Sequence, residues 1–94
     1  MVPAQEAFDR GLVQAVCPQD ELVPKALAMA AEIASKSPVA VSYAKEATNR
    51  ALHGDLGANF VHEVDLFAIL FSTEDAKEGL QAFTEKRSAR FIGK

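Results

Sequence analysis

The sequence predicts an all-α protein of about four helices, with one short extended segment near residues 12–16. Three observations predict it. After Gln19, apolar residues return every three or four positions, the spacing of a helix that faces a core. Start and stop residues bound those stretches: Asp20, Ser37-Pro38, Gly54 and Thr73. Only one segment reads as a strand, and a lone strand has no partner for its backbone groups.

In order along the chain, residues 3–10 form a short helical stretch, with Pro3 tolerated in the first turn and Gly11 ending it at C′. The segment from Gly11 to Val16 follows, apolar at 12, 13, 15 and 16 and closed by Cys17-Pro18. Six residues between Gly and Pro suit a strand or extended connector better than a helix. The next helix takes Asp20 as its N-cap and repeats Leu22, Ala26, Met29, Ala30 and Ile33 on one face; Pro24 falls where its missing N–H costs little. Lys36-Ser37-Pro38 ends it, because the residue before proline avoids the α region. Ser37 then caps a helix running to about 51–53, stopped by Gly54. Its stripe Ala40, Ala44, Ala47, Ala51 is small enough for a tight seam against another helix.

The helix over 57–71 is apolar on most of its circumference. Phe60, Val64, Phe67 and Phe71 make one stripe, and Leu66, Ile69 and Leu70 a second; beyond the first turn only His62, Glu63 and Asp65 interrupt them. Such a helix needs cover on more than one side, more than a chain of 94 residues can supply, so burial against another chain or domain is favoured. The last helix opens on Thr73, with Glu74 and Asp75 where the helix dipole favours negative charge; Ala76, Leu80 and Phe83 form one apolar stripe, with Lys77 and Glu78 turned away from it. Residues 88–94 follow as a tail whose Phe91 and Ile92 need docking to be ordered.

Composition narrows the function classes. Apolar residues are 49% and charged residues 24%, as in an ordinary globular chain, and no apolar run reaches the ~18 residues of a membrane span. Glu6, Asp9 and Arg10 break any signal-peptide pattern, and a single cysteine excludes an internal disulfide. A soluble protein of a reducing compartment, the cytoplasm, is expected. The net charge of −3 is uneven: residues 1–84 hold twelve acids and six bases, whereas the last ten hold Glu85 against Lys86, Arg87, Arg90 and Lys94. The acidic remainder argues against nucleic acid.

Few constellations carry chemistry. His53 and His62 lack a ligand-type partner one helical turn away, so no metal site is expected. Glu63 and Asp65 do not face each other, and Cys17 has no neighbour that would make it a thiolate. There is no glycine-rich phosphate loop and no nucleophile elbow. One cluster joins aromatic and basic character: Phe67, Phe83 and Lys86, at the junction of the last two helices. If those helices fold back, two aromatic faces and an ammonium line one groove, suited to a purine and a phosphate.

Gly11-Leu-Val, the Glu21-Leu pair near Pro18, Lys36-Ser-Pro38, Lys45 in Ala-Lys-Glu-Ala and Phe71-Ser-Thr-Glu-Asp75 occur in an ordered series. Glu74-Asp-Ala-Lys-Glu-Gly79 continues it through Ala82-Phe83 and Glu85-Lys-Arg87 to Phe91-Ile-Gly-Lys94. In these motifs the whole chain resembles the C-terminal third of the crotonase, or enoyl-CoA hydratase/isomerase, superfamily. The resemblance implies that residues 1–18 are a remnant of the junction with a catalytic core, and 19–94 a helical domain for oligomerisation and the edge of the coenzyme A site. It implies that Phe67, Phe83 and Lys86 help hold the adenine and phosphate end of coenzyme A for a neighbouring subunit, in trimers or hexamers. The family's reaction, hydration of 2-enoyl-CoA thioesters in fatty-acid metabolism, uses two glutamates and a backbone oxyanion hole that lie upstream of the matched region. Neither Glu63 nor Glu74 occupies a catalytic position, so no catalytic residue and no tightly bound cofactor is expected here, and acyl-CoA is the parent's substrate. The start at Met1, late in the parent's fold, is expected to reflect truncation or a split gene. The rival expectation is a stand-alone helical interaction module with no role toward coenzyme A.

Overall fold

The computed structural model describes residues 1–94, all helix and connector, with no strand. Five α-helices follow one another: α1 (Ala4–Asp9), α2 (Leu22–Ala34), α3 (Pro38–Ala51), α4 (Leu56–Leu70) and α5 (Glu74–Glu85), with a 3-10 turn at Gln19–Glu21. The chain divides into two units, Met1–Ala31 and Glu32–Lys94.

In the first unit, α1 ends in a Schellman turn. The Leu12 amide donates to the Ala7 carbonyl (2.8 Å) and the Gly11 amide to that of Phe8 (2.9 Å), with Gly11 left-handed at φ 73°. Residues 12–16 form a bent connector without ladder bonds. The 3-10 turn begins after Pro18, so Asp20 lies inside it rather than capping α2 as expected. The Glu21 amide closes that turn onto the Pro18 carbonyl, and the chain passes directly into α2.

In the second unit the expected caps are present. The Ser37 hydroxyl accepts from the Ala40 amide with Pro38 at N1, and the Thr73 hydroxyl accepts from the Ala76 amide at 3.1 Å. Asp55, which the sequence reading passed over, caps α4 by accepting from the Gly57 and Ala58 amides (3.0 and 2.9 Å). Those two bonds hold its carboxyl below the ordinary carboxylate range.

The core is very small. Leu66 and Ala82 are the only buried apolar residues, joined by buried Ser37 and Asp75. α3 packs along α4, but the alanine stripe does not close a tight seam. Ala40 and Ala47 are half-buried while Ala44 and Ala51 are exposed, and these methyl groups wall an open groove of about 470 Å³. On α4, Phe60, Val61, Val64 and Phe67 are all more than half exposed, so one side of a nearly all-apolar helix is covered and the rest is not.

α5 turns the other way from the expected stripe. Leu80 and Phe83 point outward, and the inner face is Asp75, Gly79 and Ala82, at i, i+4 and i+7. Side-chain size explains the reversal: Gly79 and Ala82 are small enough to let the tail lie close. Phe91 ring atoms sit 3.6 and 3.8 Å from where a Cβ on Gly79 would stand, ordinary contact distance, so the ring lies directly over this face of α5.

Candidate functional site

Two networks in the second unit fix the geometry around α5. The first centres on Asp75. Its carboxylate accepts from the Ser37 hydroxyl (2.6 Å) and from the Ile92 and Gly93 amides (2.7 and 3.0 Å), while its own amide donates to the Lys94 carbonyl (2.9 Å). One side chain thus joins the N-terminus of α3, the N-terminus of α5 and the tail. Burial alone pushes this carboxyl up, but the hydroxyl and two amides outweigh it and hold the pKa below the ordinary value. Charge-assisted bonds of this length are the strong kind, and no buried side-chain polar atom is left without a partner.

The second network lies at the C-terminus of α5. Arg87 Nη1 and Nη2 donate to the two oxygens of Glu78 (2.6 and 3.0 Å), and Nε donates to Glu85 (2.6 Å). The Arg90 amide adds a bond to Glu78 at 2.8 Å. Arg87 first, and then this amide, hold the Glu78 carboxyl down to about 2. Gln81 and Arg87 lower Glu85 as well, and the guanidinium is raised in turn. Between the bonded residues stands Lys86, the one non-glycine residue with positive φ, at 54°. Its ammonium has no carboxylate within 4 Å, and Glu78 and Glu85 are both paired with Arg87.

The three residues singled out from the sequence are not gathered into one groove. Phe67 walls the α3/α4 groove and a second, nearly apolar groove of about 400 Å³ bordered by α5 and Phe91; its ring meets that of Phe71 edge-on, centroids 5.0 Å apart. Phe83, 84% exposed, and Lys86 line neither groove and stand at the outer end of α5. An exposed phenylalanine and an unpaired ammonium three residues on offer a stacking face and a point charge, whereas the grooves offer apolar walls with few polar groups.

The remaining candidates hold ordinary places. His62 is half-buried and meets Glu46 of α3 at 2.8 Å, a link between α3 and α4. The His53 carbonyl accepts from the Asn59 side chain, Glu63 borders the α3/α4 groove, and Cys17 is a half-buried free thiol. No three His, Cys, Asp or Glu side chains are grouped to hold a metal ion. The sequence reading missed the Asp75 and Arg87 networks. Its one available signal was Gly79 inside a helix, which marks a close approach.

Comparison with known proteins bears on the whole chain. The family profile described as Enoyl-CoA hydratase/isomerase matches residues 1–94. A crotonyl-CoA hydratase of Syntrophomonas wolfei is 42% identical over 94 residues, all of this chain and 36% of that protein. A mitochondrial enoyl-CoA hydratase of Pongo abelii is 42% identical over 90 residues, 96% of this chain and 31% of its own length. The crystal structure of an enoyl-CoA hydratase from Bacillus anthracis superposes with a TM-score of 0.92 at 42% identity, covering 97% of this chain and 35% of that one. The chain therefore spans about a third of the length of the relatives it matches.

Proposed function

The chain belongs to the enoyl-CoA hydratase/isomerase family, and on that footing we propose that it is the C-terminal helical region of a protein acting on coenzyme A thioesters. In this role it supplies the outer end of the coenzyme A site and surfaces for subunit association, and it has no hydratase activity alone. The observation that carries the proposal is the outer end of α5, which presents exposed Phe83 and, three residues on, Lys86 with no carboxylate partner. An aromatic face suits the adenine ring and an ammonium suits a phosphate. Phe67 belongs to the same surface only across a subunit boundary, since within one chain it faces the grooves.

Chemistry supports the inactive state of the isolated chain. Hydration of a 2-enoyl thioester requires acid–base groups near the double bond and two donors at the thioester oxygen. Here the two lowered carboxylates nearest the proposed site are engaged by Arg87, which disfavours their acting as bases. The exposed faces of α4 support self-association, because a single helix presenting this much apolar surface gains most from a second copy or a further domain.

Titration of the 94-residue chain with coenzyme A, followed by amide chemical shifts, tests the proposal. Saturable shifts centred on Phe67, Phe83 and Lys86 are expected, and shifts absent or confined to other residues refute it. Crotonyl-CoA turnover above background by the purified chain would overturn the second half. The alternative function, a stand-alone helical interaction module, draws on the same exposed α4 and calls for no response to coenzyme A.

A further inference from the structure

The molecule ends two helices with the same turn and uses different residues at its critical position. At the end of α1, Gly11 takes the left-handed conformation without a Cβ penalty. At the end of α5 the Arg87 amide donates to the Ala82 carbonyl (3.0 Å) and the Lys86 amide to that of Phe83 (3.2 Å), the same Schellman pattern, with Lys86 in glycine's place at φ 54°. An L-residue is disfavoured there, and such a residue persists only where its surroundings over-determine it. Those surroundings are visible. Arg87, the next residue, is anchored by three side-chain hydrogen bonds to Glu78 and Glu85, and the Arg90 amide ties the following backbone to Glu78.

We propose that Arg87 is a positioning residue for Lys86: its lock on Glu78 and Glu85 holds Lys86 left-handed and keeps its ammonium free for a phosphate. The proposal rests on the assignment of Lys86 to the phosphate end of coenzyme A made above. Arg87 acts in two ways. Its fork geometry fixes the backbone immediately after Lys86, which a point charge cannot do. It also pairs with Glu78 and Glu85, so that their negative charge is balanced where a phosphate would approach. Arg87 itself spends four of its five N–H donors on Glu78, Glu85 and the Ser88 carbonyl.

The experiment uses the whole 94-residue chain and adenosine 3′,5′-bisphosphate as probe, at low ionic strength, with the natural protein, Arg87→Lys, Arg87→Gln and Lys86→Gly. Lys86 backbone carbon shifts and the amide-to-α coupling constant read its conformation, and the titration reads affinity. In the natural protein Lys86 is left-handed and binding is saturable. Both Arg87 variants are expected to move Lys86 out of the left-handed region and to weaken binding by about tenfold. Lys86→Gly is expected to lose binding yet unfold at an equal or higher temperature, since glycine relieves the turn.

Wild-type affinity in Arg87→Lys would show that Arg87 contributes charge alone and would overturn the proposal. Retention of both conformation and affinity in Arg87→Gln, or a lower unfolding temperature in Lys86→Gly, would overturn it equally. If the natural protein fails to bind the probe, the phosphate assignment of Lys86 falls, and the proposal with it. If it binds and the Arg87 variants do not differ from it, only the positioning role falls.

Discussion

Leu66→Ala is the sharpest probe of how this chain is held together. Leu66 is the one large apolar side chain that is buried, at 8% exposure, and it faces α3 from the middle of α4. Truncation to alanine removes three carbon groups, worth about 2.4 kcal/mol at roughly 0.8 kcal/mol each. In a closed core the cavity left behind raises such losses toward 4–5 kcal/mol. Here the side chain borders a groove of about 470 Å³ that is open to solvent, so the cavity contribution is small. The expected cost is therefore about 2–2.5 kcal/mol, at the low end for a buried leucine. At roughly 4–8 °C per kcal/mol for a domain of this size, the melting temperature falls by about 8–20 °C. Val64→Ala, at a position 65% exposed within one chain, serves as control at concentrations too dilute for self-association and is expected to stay within about 0.5 kcal/mol. Urea unfolding followed by far-ultraviolet circular dichroism measures both. Equal costs at Leu66 and Val64 would mean that α4 is covered on more than one side in solution, and a negligible cost at Leu66 would mean that α3 and α4 do not pack as described.

Three further outcomes are expected. Ser37→Ala should lower the melting temperature more than Thr73→Ala, because both lose a helix cap, worth about 1 kcal/mol, but only Ser37 also donates to buried Asp75. Similar melting shifts for the two would argue against that bond. Glu78, held down to about 2 from its ordinary 4.5, contributes stability that is complete above pH 4.5 and is lost as the pH falls toward 2; Asp75 adds in the same direction. Acid titration of Glu78→Gln should show a shallower decline over that interval than the natural protein. Phe83→Ala, at an almost fully exposed position, should leave the melting temperature nearly unchanged while diminishing the chemical-shift response to coenzyme A.

What the sequence reveals here is local, and what it conceals is distant. Ser37-Pro38, Gly11, Gly54 and Thr73 announce helix boundaries because capping and left-handed turns depend on residues a few positions apart. The helices they bound follow within a residue or two. Asp75 looked like a first-turn acid serving the helix dipole, and nothing in its neighbourhood announces a bond to Ser37, thirty-eight residues earlier, or to amides of the tail. The inner face of α5 was misassigned for a related reason. Hydrophobicity favours Leu80 and Phe83 as inner residues, whereas burial falls on Asp75 and Ala82, with Phe91 lying over Gly79. Periodicity cannot see that a helix is packed by its smallest side chains. Lys86 was noticed for its charge, while its backbone conformation was hidden, since glycine is the residue that normally marks such a turn.

The dependence of Asp75 on the tail has a consequence for biogenesis. Translation delivers this carboxylate seventeen residues before Ile92, the first of the two amides that complete its shell. On the nascent chain it must stay hydrated, and the start of α5 cannot settle against α3 until Ile92 and Gly93 are free to fold back. Closure of this corner waits on the emergence of Ile92 and Gly93, and a chain that stalls short of Ile92 carries an acidic group with nowhere dry to go.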